Sequence, residues 1–273
     1  MYSLVTLVLL YRTVFLASVL FNSQAWSDIK RTEFDRLQVV QLKFLKRSIK
    51  VPSSCPNAAT FLEFGVLPIE GEIHVRQLCF LHHILTLEDS DPVYKMYIEL
   101  KSFEHEINWA TDVKMLLEKY SLSNFDEQEI RCMSKDSWKA RVKKNVESFW
   151  FSFLVQECGC SKKTHLLKYD VLSCQDYLVN MPPGDAQIIF RARTRSISCK
   201  GNMSSSHRAN MLCRLCGESE ETQEHVLNCP VIKENRHDID IGMVYDLQSA
   251  DPAAIDELCS RVRLFDDMII RAS

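Results

Sequence analysis

A chain of 273 residues, 46% hydrophobic and 25% charged, is long enough to bury one or two cores and too apolar to be disordered. Its formal net charge of −3 excludes a globally basic nucleic-acid binder, so any such signal has to be local. Only 7 glycines and 8 prolines argue against a many-turned β fold and for long helices, and 11 cysteines are too dilute for a small disulfide scaffold.

The chain opens on Leu4 to Phe21, apolar apart from Thr6, Arg12, Thr13 and Ser18. A secretory signal has basic residues ahead of its apolar run and small residues before its cleavage point. Met1-Tyr2-Ser3 and Leu20-Phe21-Asn22 supply neither. A membrane span needs about 18 to 20 apolar residues, and Arg12 interrupts this one. The segment is expected to be a helix packed by its apolar face, in an intracellular protein of the nucleus or cytoplasm. The alternative is a membrane-anchored or secreted protein, in which Asn202-Met203-Ser204 would be a glycosylation acceptor.

Periodicity predicts a helix from Ser27, as cap, to Lys50, with Phe34, Leu37, Val40, Leu42, Phe44, Leu45 and Ile49 as its apolar stripe. Lys43, Lys46, Arg47 and Lys50 then form a solvated basic face near its end. A short helix runs from Pro56 through Leu62 and Gly65 ends it; a longer one runs from Ile69 to Leu87. That helix carries His74, His82 and His83, of which the adjacent pair point apart and make poor metal partners. Further helices are expected over 93–103, 109–120 and 134–158, with Ser121 to Phe125 as an internal boundary. The last is a spacer with Lys139, Arg141, Lys143 and Lys144 solvated and Trp138, Val142, Trp150, Phe149 and Phe153 elsewhere. Cys158-Gly159-Cys160 is by itself a weak metal signal.

Between Asp185 and Glu218 no acidic residue occurs, while Arg191, Arg193, Arg195, Lys200, Arg208 and Arg214 place six cations there. Fixed cations at this density are what a phosphate backbone attracts, so RNA or single-stranded DNA is the expected partner. The competing expectation is that they pair with the acidic Glu218–Glu221 loop or with the acidic C-terminal tail.

Immediately after this run, Cys213, Cys216, His225 and Cys229 follow the spacing C-x2-C-x8-H-x3-C. Three thiolates and one imidazole complete the tetrahedron that Zn2+ prefers and leave no position open for substrate. Thr222 caps a short helix on which His225 and Cys229, four apart, share a face. The remaining cysteines (Cys55, Cys79, Cys132, Cys158, Cys160, Cys174, Cys199 and Cys259) read as mostly buried thiols. Beyond Pro230 the chain ends in an acidic capped helix over 251–271. Its Leu264-Phe265-Asp266-Asp267 lacks the tight hairpin and third aspartate of a polymerase metal site.

Two blocks resemble the C-terminal part of non-LTR (LINE-type) retrotransposon reverse transcriptases. One runs from Leu10 through Phe21-Asn22-Ser23-Gln24-Ala25-Trp26 to Leu62-Glu63-Phe64-Gly65-Val66-Leu67-Pro68-Ile69 and is similar to that family's thumb and following helical region. Where the family shows Tyr-Gly-Ser-Glu-x-Trp, this chain has Phe-Asn-Ser-Gln-Ala-Trp. The other comprises Phe190-Arg191-Ala192-Arg193-Thr194, Lys200-Gly201-Asn202 and Cys213 to Pro230, and resembles the basic segment and CCHC zinc knuckle. The resemblance implies nucleic-acid binding without polymerase or endonuclease activity, because the catalytic palm lies outside these blocks. The expectation is therefore an all-α, non-enzymatic remnant without a small-molecule substrate, or a genomic relic with no function. Its regions are a thumb/connection-like part (1–120), a helical spacer (121–181), the basic segment and zinc knuckle (182–235), and an acidic helical tail (236–273).

Overall fold

The computed structural model describes residues 4–103, 106–202, 211–233 and 236–272. The chain is all-α, and among the described residues the only β pairings are the isolated bridges Phe64↔Cys174 and Leu212↔Glu220. In chain order the helices are α1 (Leu4–Leu10), a π turn (Tyr11–Phe15), α2 (Leu16–Val19), α3 (Arg31–Ser48), α4 (Asn57–Phe64) and α5 (Ile69–Leu85). They continue with α6 (Pro92–Ser102), α7 (Trp109–Lys119), α8 (Glu127–Cys132), α9 (Lys135–Cys160), α10 (Asp176–Asn180) and α11 (Pro183–Arg193). α12 (Gln223–Asn228), α13 (Pro230–Lys233) and α14 (Pro252–Ala272) complete the set. None of the described helices is long and apolar enough to cross a membrane.

Packing divides the chain into two units, each assembled from separated stretches: residues 6–43 with 66–153, and residues 1–5, 44–65 and 154–273. The boundaries read in chain order at 120, 181 and 235 fall inside these units, because the division follows contacts among distant stretches.

The first unit is built on α5. Gln41 takes the Ile69 N–H at 2.8 Å and donates to Leu67 O at 2.8 Å, so α3 meets the first turn of α5 with its amide satisfied. The indole of Trp138 donates to Leu78 O at 2.8 Å, anchoring α9. Gly71 is needed for that approach, since a Cβ there would lie 2.7 Å from Trp150 Nε1. The N-terminal helix is capped at Leu20, whose carbonyl accepts from Arg76 at 3.0 Å, and the left-handed Asn22 (φ 58°) leads into the 3-10 turn Ser23–Ala25. α3 starts at Arg31, later than Ser27, because the Glu33 carboxylate, and not the serine, receives the chain's incoming Lys30 N–H. Of the histidine pair, His82 is buried with Nε2 2.9 Å from Met133 O, while His83 is exposed.

The second unit is built on α4, buried from Ala58 to Phe64. Gly65 follows it with φ +60°, and a side chain there would run into the backbone of Ser173 and Cys174 at 2.2 Å. That contact is where the Phe64↔Cys174 bridge forms, with Gln175 N donating to Glu63 O at 2.9 Å. Lys43, Arg47 and Lys50 are exposed as expected, but Lys46 turns inward. Its ammonium donates to Ser53 O (2.8 Å), Cys55 O (2.5 Å) and Asn57 Oδ1 (2.8 Å), closing the turn before α4. It is a structural cation because three oxygens replace its water.

Beneath α5, Trp150 Nε1 donates to Tyr120 Oη at 3.2 Å, and Tyr120 Oη lies 2.6 Å from His74 Nδ1. An indole can only donate, so the phenol oxygen accepts from it, and its own proton is available to a neutral imidazole at Nδ1. Burial, helped by the nearby Lys119 ammonium, pushes His74 down to about 3 from an ordinary 6.5. A depressed histidine stabilises the fold fully above its unfolded value and progressively less as pH falls toward the folded one. The stability difference between wild type and His74→Gln is therefore expected to shrink by roughly 1.5 to 2 kcal/mol between pH 6.5 and pH 5 in denaturant titrations. A pH-independent difference would show that the imidazole is not held neutral.

Candidate metal centre

The loop before α12 is shaped by backbone bonds before any ligand is considered. Leu212 and Glu220 bridge, Cys213 N donates to Ser219 O at 2.7 Å, and Gly217 N donates to Cys213 O at 2.9 Å. Gly217 has φ +72°, a conformation that glycine adopts without penalty, and it turns the chain directly after Cys216. As a result the amides of Leu215 and Glu218 point at sulfur, 3.4 Å from Cys213 Sγ and 3.5 Å from Cys216 Sγ. The Thr222 hydroxyl accepts from His225 N at 3.1 Å and starts α12 in the register that brings His225 and Cys229 to the same place.

The structure brings Cys213, Cys216, His225 and Cys229 together, with one ligand atom from each lying within 4.8 Å of the others. Cys213 Sγ and Cys229 Sγ are 3.9 Å apart, and Cys216 Sγ is 3.3 Å from His225 Nε2. Sulfurs bound to a tetrahedral ion at about 2.3 Å would be separated by about 3.8 Å, so the spacing suits a single ion and is far too long for a disulfide. None of the three donor cysteines is in a disulfide. Amide hydrogen bonds, Glu218 N first, lower the Cys216 thiol, whereas burial and the neighbouring Cys213 push Cys229 up to about 12. A cation entering the site has to displace the Cys229 proton. The apolar wall around the sulfurs is Cys199, Val226, Ile232 and Phe265.

The basic run before the metal loop is placed differently from a phosphate-binding stripe. Arg191 is buried and grips Asp266 with both terminal nitrogens, at 2.7 and 3.2 Å. Arg193 is 3% exposed and meets the fully buried Glu63 at 2.8 Å. Arg195 pairs with Glu224 at 2.7 Å, Lys200 donates to Leu212 O at 2.7 Å, and Arg214 binds Glu221. Arg208 lies outside the described residues. The five described cations are thus engaged within the unit, but only Arg214 pairs with the acidic Glu218–Glu221 loop and only Arg191 with the C-terminal tail. Asp266 of the Leu264–Asp267 stretch serves as the partner of Arg191.

Sequence reasoning missed Glu63 and Glu224 as acceptors. Glu63 receives Tyr169 Oη at 2.7 Å and Tyr177 Oη at 2.8 Å besides Arg193. Burial and the Glu63 charge raise both phenols well above their ordinary range. Glu221, with no exposed surface, had been counted only as part of an acidic loop. Burial opposes its charge, but Arg214 and the amides of Arg214 and Lys200 outweigh it and hold the carboxyl below its usual range. Glu63, 130 residues from Arg193, carries no local signal.

Comparison of the chain with protein-family models, with curated proteins and with solved structures finds no match.

Because Arg193 and Glu63 are both out of water, removing one leaves an uncompensated charge. Arg193→Ala is expected to lower unfolding free energy by about 3 to 5 kcal/mol, with the double replacement Glu63→Gln/Arg193→Met recovering much of it. A loss below about 1 kcal/mol for Arg193→Ala in denaturant titrations would mean that the pair is not buried.

Proposed function

We propose that Cys213, Cys216, His225 and Cys229 hold a structural Zn2+ in a non-enzymatic protein related to the C-terminal part of non-LTR retrotransposon reverse transcriptases. The observation that carries the metal part is the donor set: three sulfurs and one imidazole nitrogen within 4.8 Å. Thiolate-rich tetrahedra suit Zn2+ over the hard cations, and a site filled by four protein donors leaves no coordination position for chemistry. The family relationship rests on the two sequence blocks from Leu10 to Ile69 and from Phe190 to Pro230.

The partner we propose is RNA or single-stranded DNA, bound through its phosphates. With the five described cations from Arg191 to Arg214 engaged internally, exposed charge close to the metal loop lies in the turn after α9. Lys162, His165 and Lys168 are exposed there, no acid occurs between Glu157 and Asp170, and Lys162 and Lys168 make no ion pair among the described residues. Lys163 Nζ donates to Asn202 O at 3.3 Å, and Gly201 N donates to Glu221 O at 2.9 Å, so this turn adjoins the flank of the metal loop. Lysines without an aromatic platform favour backbone contact over reading of bases.

Metal analysis of the purified chain is expected to give one zinc per molecule, falling to a minor fraction in Cys216→Ser. Full metal content in that variant would refute the site. Fluorescence anisotropy with a single-stranded oligonucleotide should give a salt-dependent affinity. In Lys162→Glu/Lys168→Glu that affinity weakens and the log–log salt slope becomes shallower by about one to two. Zinc-loaded protein without salt-dependent binding would sink the partner while leaving the metal intact.

A further inference from the structure

The Cys213–Cys216 turn is held by one side chain that is not a metal donor. Arg214 lies inside the turn, and its N–H donates to Glu221 Oε2 at 2.8 Å while its Nε and Nη2 reach the same carboxylate at 2.9 and 2.6 Å. The other strand of the contact comes from the preceding turn, where Lys200 N donates to Glu221 Oε1 at 2.9 Å. The backbone of Glu221 repeats the arrangement, donating to Met211 O at 2.8 Å and accepting from Gly201 N at 2.9 Å. Gly201 allows this approach, since a Cβ there would sit 3.2 Å from Glu221 O. Arg214 is fixed on its other sides by Ser198 O, 2.6 Å from Nη2, and by the ring of Phe265, 5.5 Å below the guanidinium.

We propose that Glu221 is the positioning residue of the metal centre, ordering the Cys213–Cys216 turn through Arg214 so that both sulfurs are aimed before the ion arrives. The proposal rests on the zinc reading. Its physical basis is the direction of the Arg214 amide. With that peptide locked to a buried carboxylate, the following amides are left pointing at Cys213 Sγ and Cys216 Sγ. Such amides stabilise thiolates and define where the sulfur lone pairs face. Without the carboxylate, the ion itself has to order the turn, and binding weakens by the cost of that ordering. Neither Glu221 nor Arg214 touches the ion in this arrangement, so both act only through the cysteines.

The test is zinc affinity by competition with a chromophoric chelator, together with the thiolate charge-transfer and ligand-field spectrum of the Co2+-substituted chain. Glu221→Gln keeps the size but not the charge, and is expected to bind zinc 10- to 100-fold more weakly with an altered Co2+ spectrum. Arg214→Lys, which keeps the charge but cannot form the fork, should weaken binding to a comparable extent. The double variant should be little worse than either alone, because both remove one contact. Wild-type affinity and spectrum in Glu221→Gln would overturn the assignment. If that variant does not fold, the same result in Arg214→Lys would overturn it. Wild-type chain that takes up no metal would instead defeat the zinc reading from which this proposal starts.

Discussion

An arginine cannot shed its proton to escape a low-dielectric interior, so each one withdrawn from water must bring an anion or several carbonyls with it. That constraint organises the unit that contains the metal loop. Arg193 ties α11 to Glu63 on α4, Arg191 ties α11 to Asp266 on α14, and Arg214 ties the metal loop to Glu221. Arg261, 1% exposed, completes the pattern from α14: it holds Glu257 on its own helix and reaches Leu227 O at the end of α12 and His237 O beyond it. α11, α12, α14 and the metal loop are thereby each fixed to a neighbour by a guanidinium. These contacts specify partners more than they add stability, since a buried pair returns little beyond its desolvation cost while a broken one is expensive. The described cations of the acid-free run, which look like a binding stripe in one dimension, each make a contact within the unit in three.

The same constraint sets what could be read without coordinates. The metal set was legible because its four donors lie within seventeen residues and their spacing is itself the signal. Gly65, Thr222 and the cap at Asp251, which accepts from Ala253 N at 3.1 Å, were legible because helix ends are written in one or two residues. The all-α class followed from the scarcity of glycine and proline and from long apolar stripes. By contrast, α8 and α10 cover only six and five residues, too few for a helical period to show. The inward turn of Lys46 was hidden too, because its three oxygens come from a loop whose course is set by tertiary packing. Arg193 and Glu63 are 130 positions apart, and nothing in either neighbourhood announces the other.

The unit built on α5 solves a related problem with neutral groups. Gln41, His74, Tyr120, Trp138 and Trp150 are all buried, and each sends its polar atom to a defined partner along α5 or beside it. A neutral network pays less desolvation than an ionic one, but it depends on the imidazole staying uncharged. The Lys119 ammonium beside it, held at 2.8 Å by Glu70, opposes a second positive charge. One unit thus stakes its core on charges that must be paired, and the other on a histidine that must not become charged.

The metal loop sits at the end of the chain of arginine pairs, and that placement bears on what an ion could contribute. A loop with no anchors would depend on the ion for its entire conformation, as small zinc modules do. Here the backbone bridge Leu212↔Glu220, the turn at Gly217 and the Arg214–Glu221 fork already set the course of the chain. What they leave open is the mutual approach of three sulfurs and an imidazole, where burial raises the Cys229 thiol. An ion bound there would replace the proton on Cys229 with a shared positive charge, and would join α12 to the loop by bonds stronger than any hydrogen bond in the unit. Its structural effect would therefore be local: it would hold α12, at His225 and at Cys229 beyond its last turn, against a loop that other contacts have already shaped.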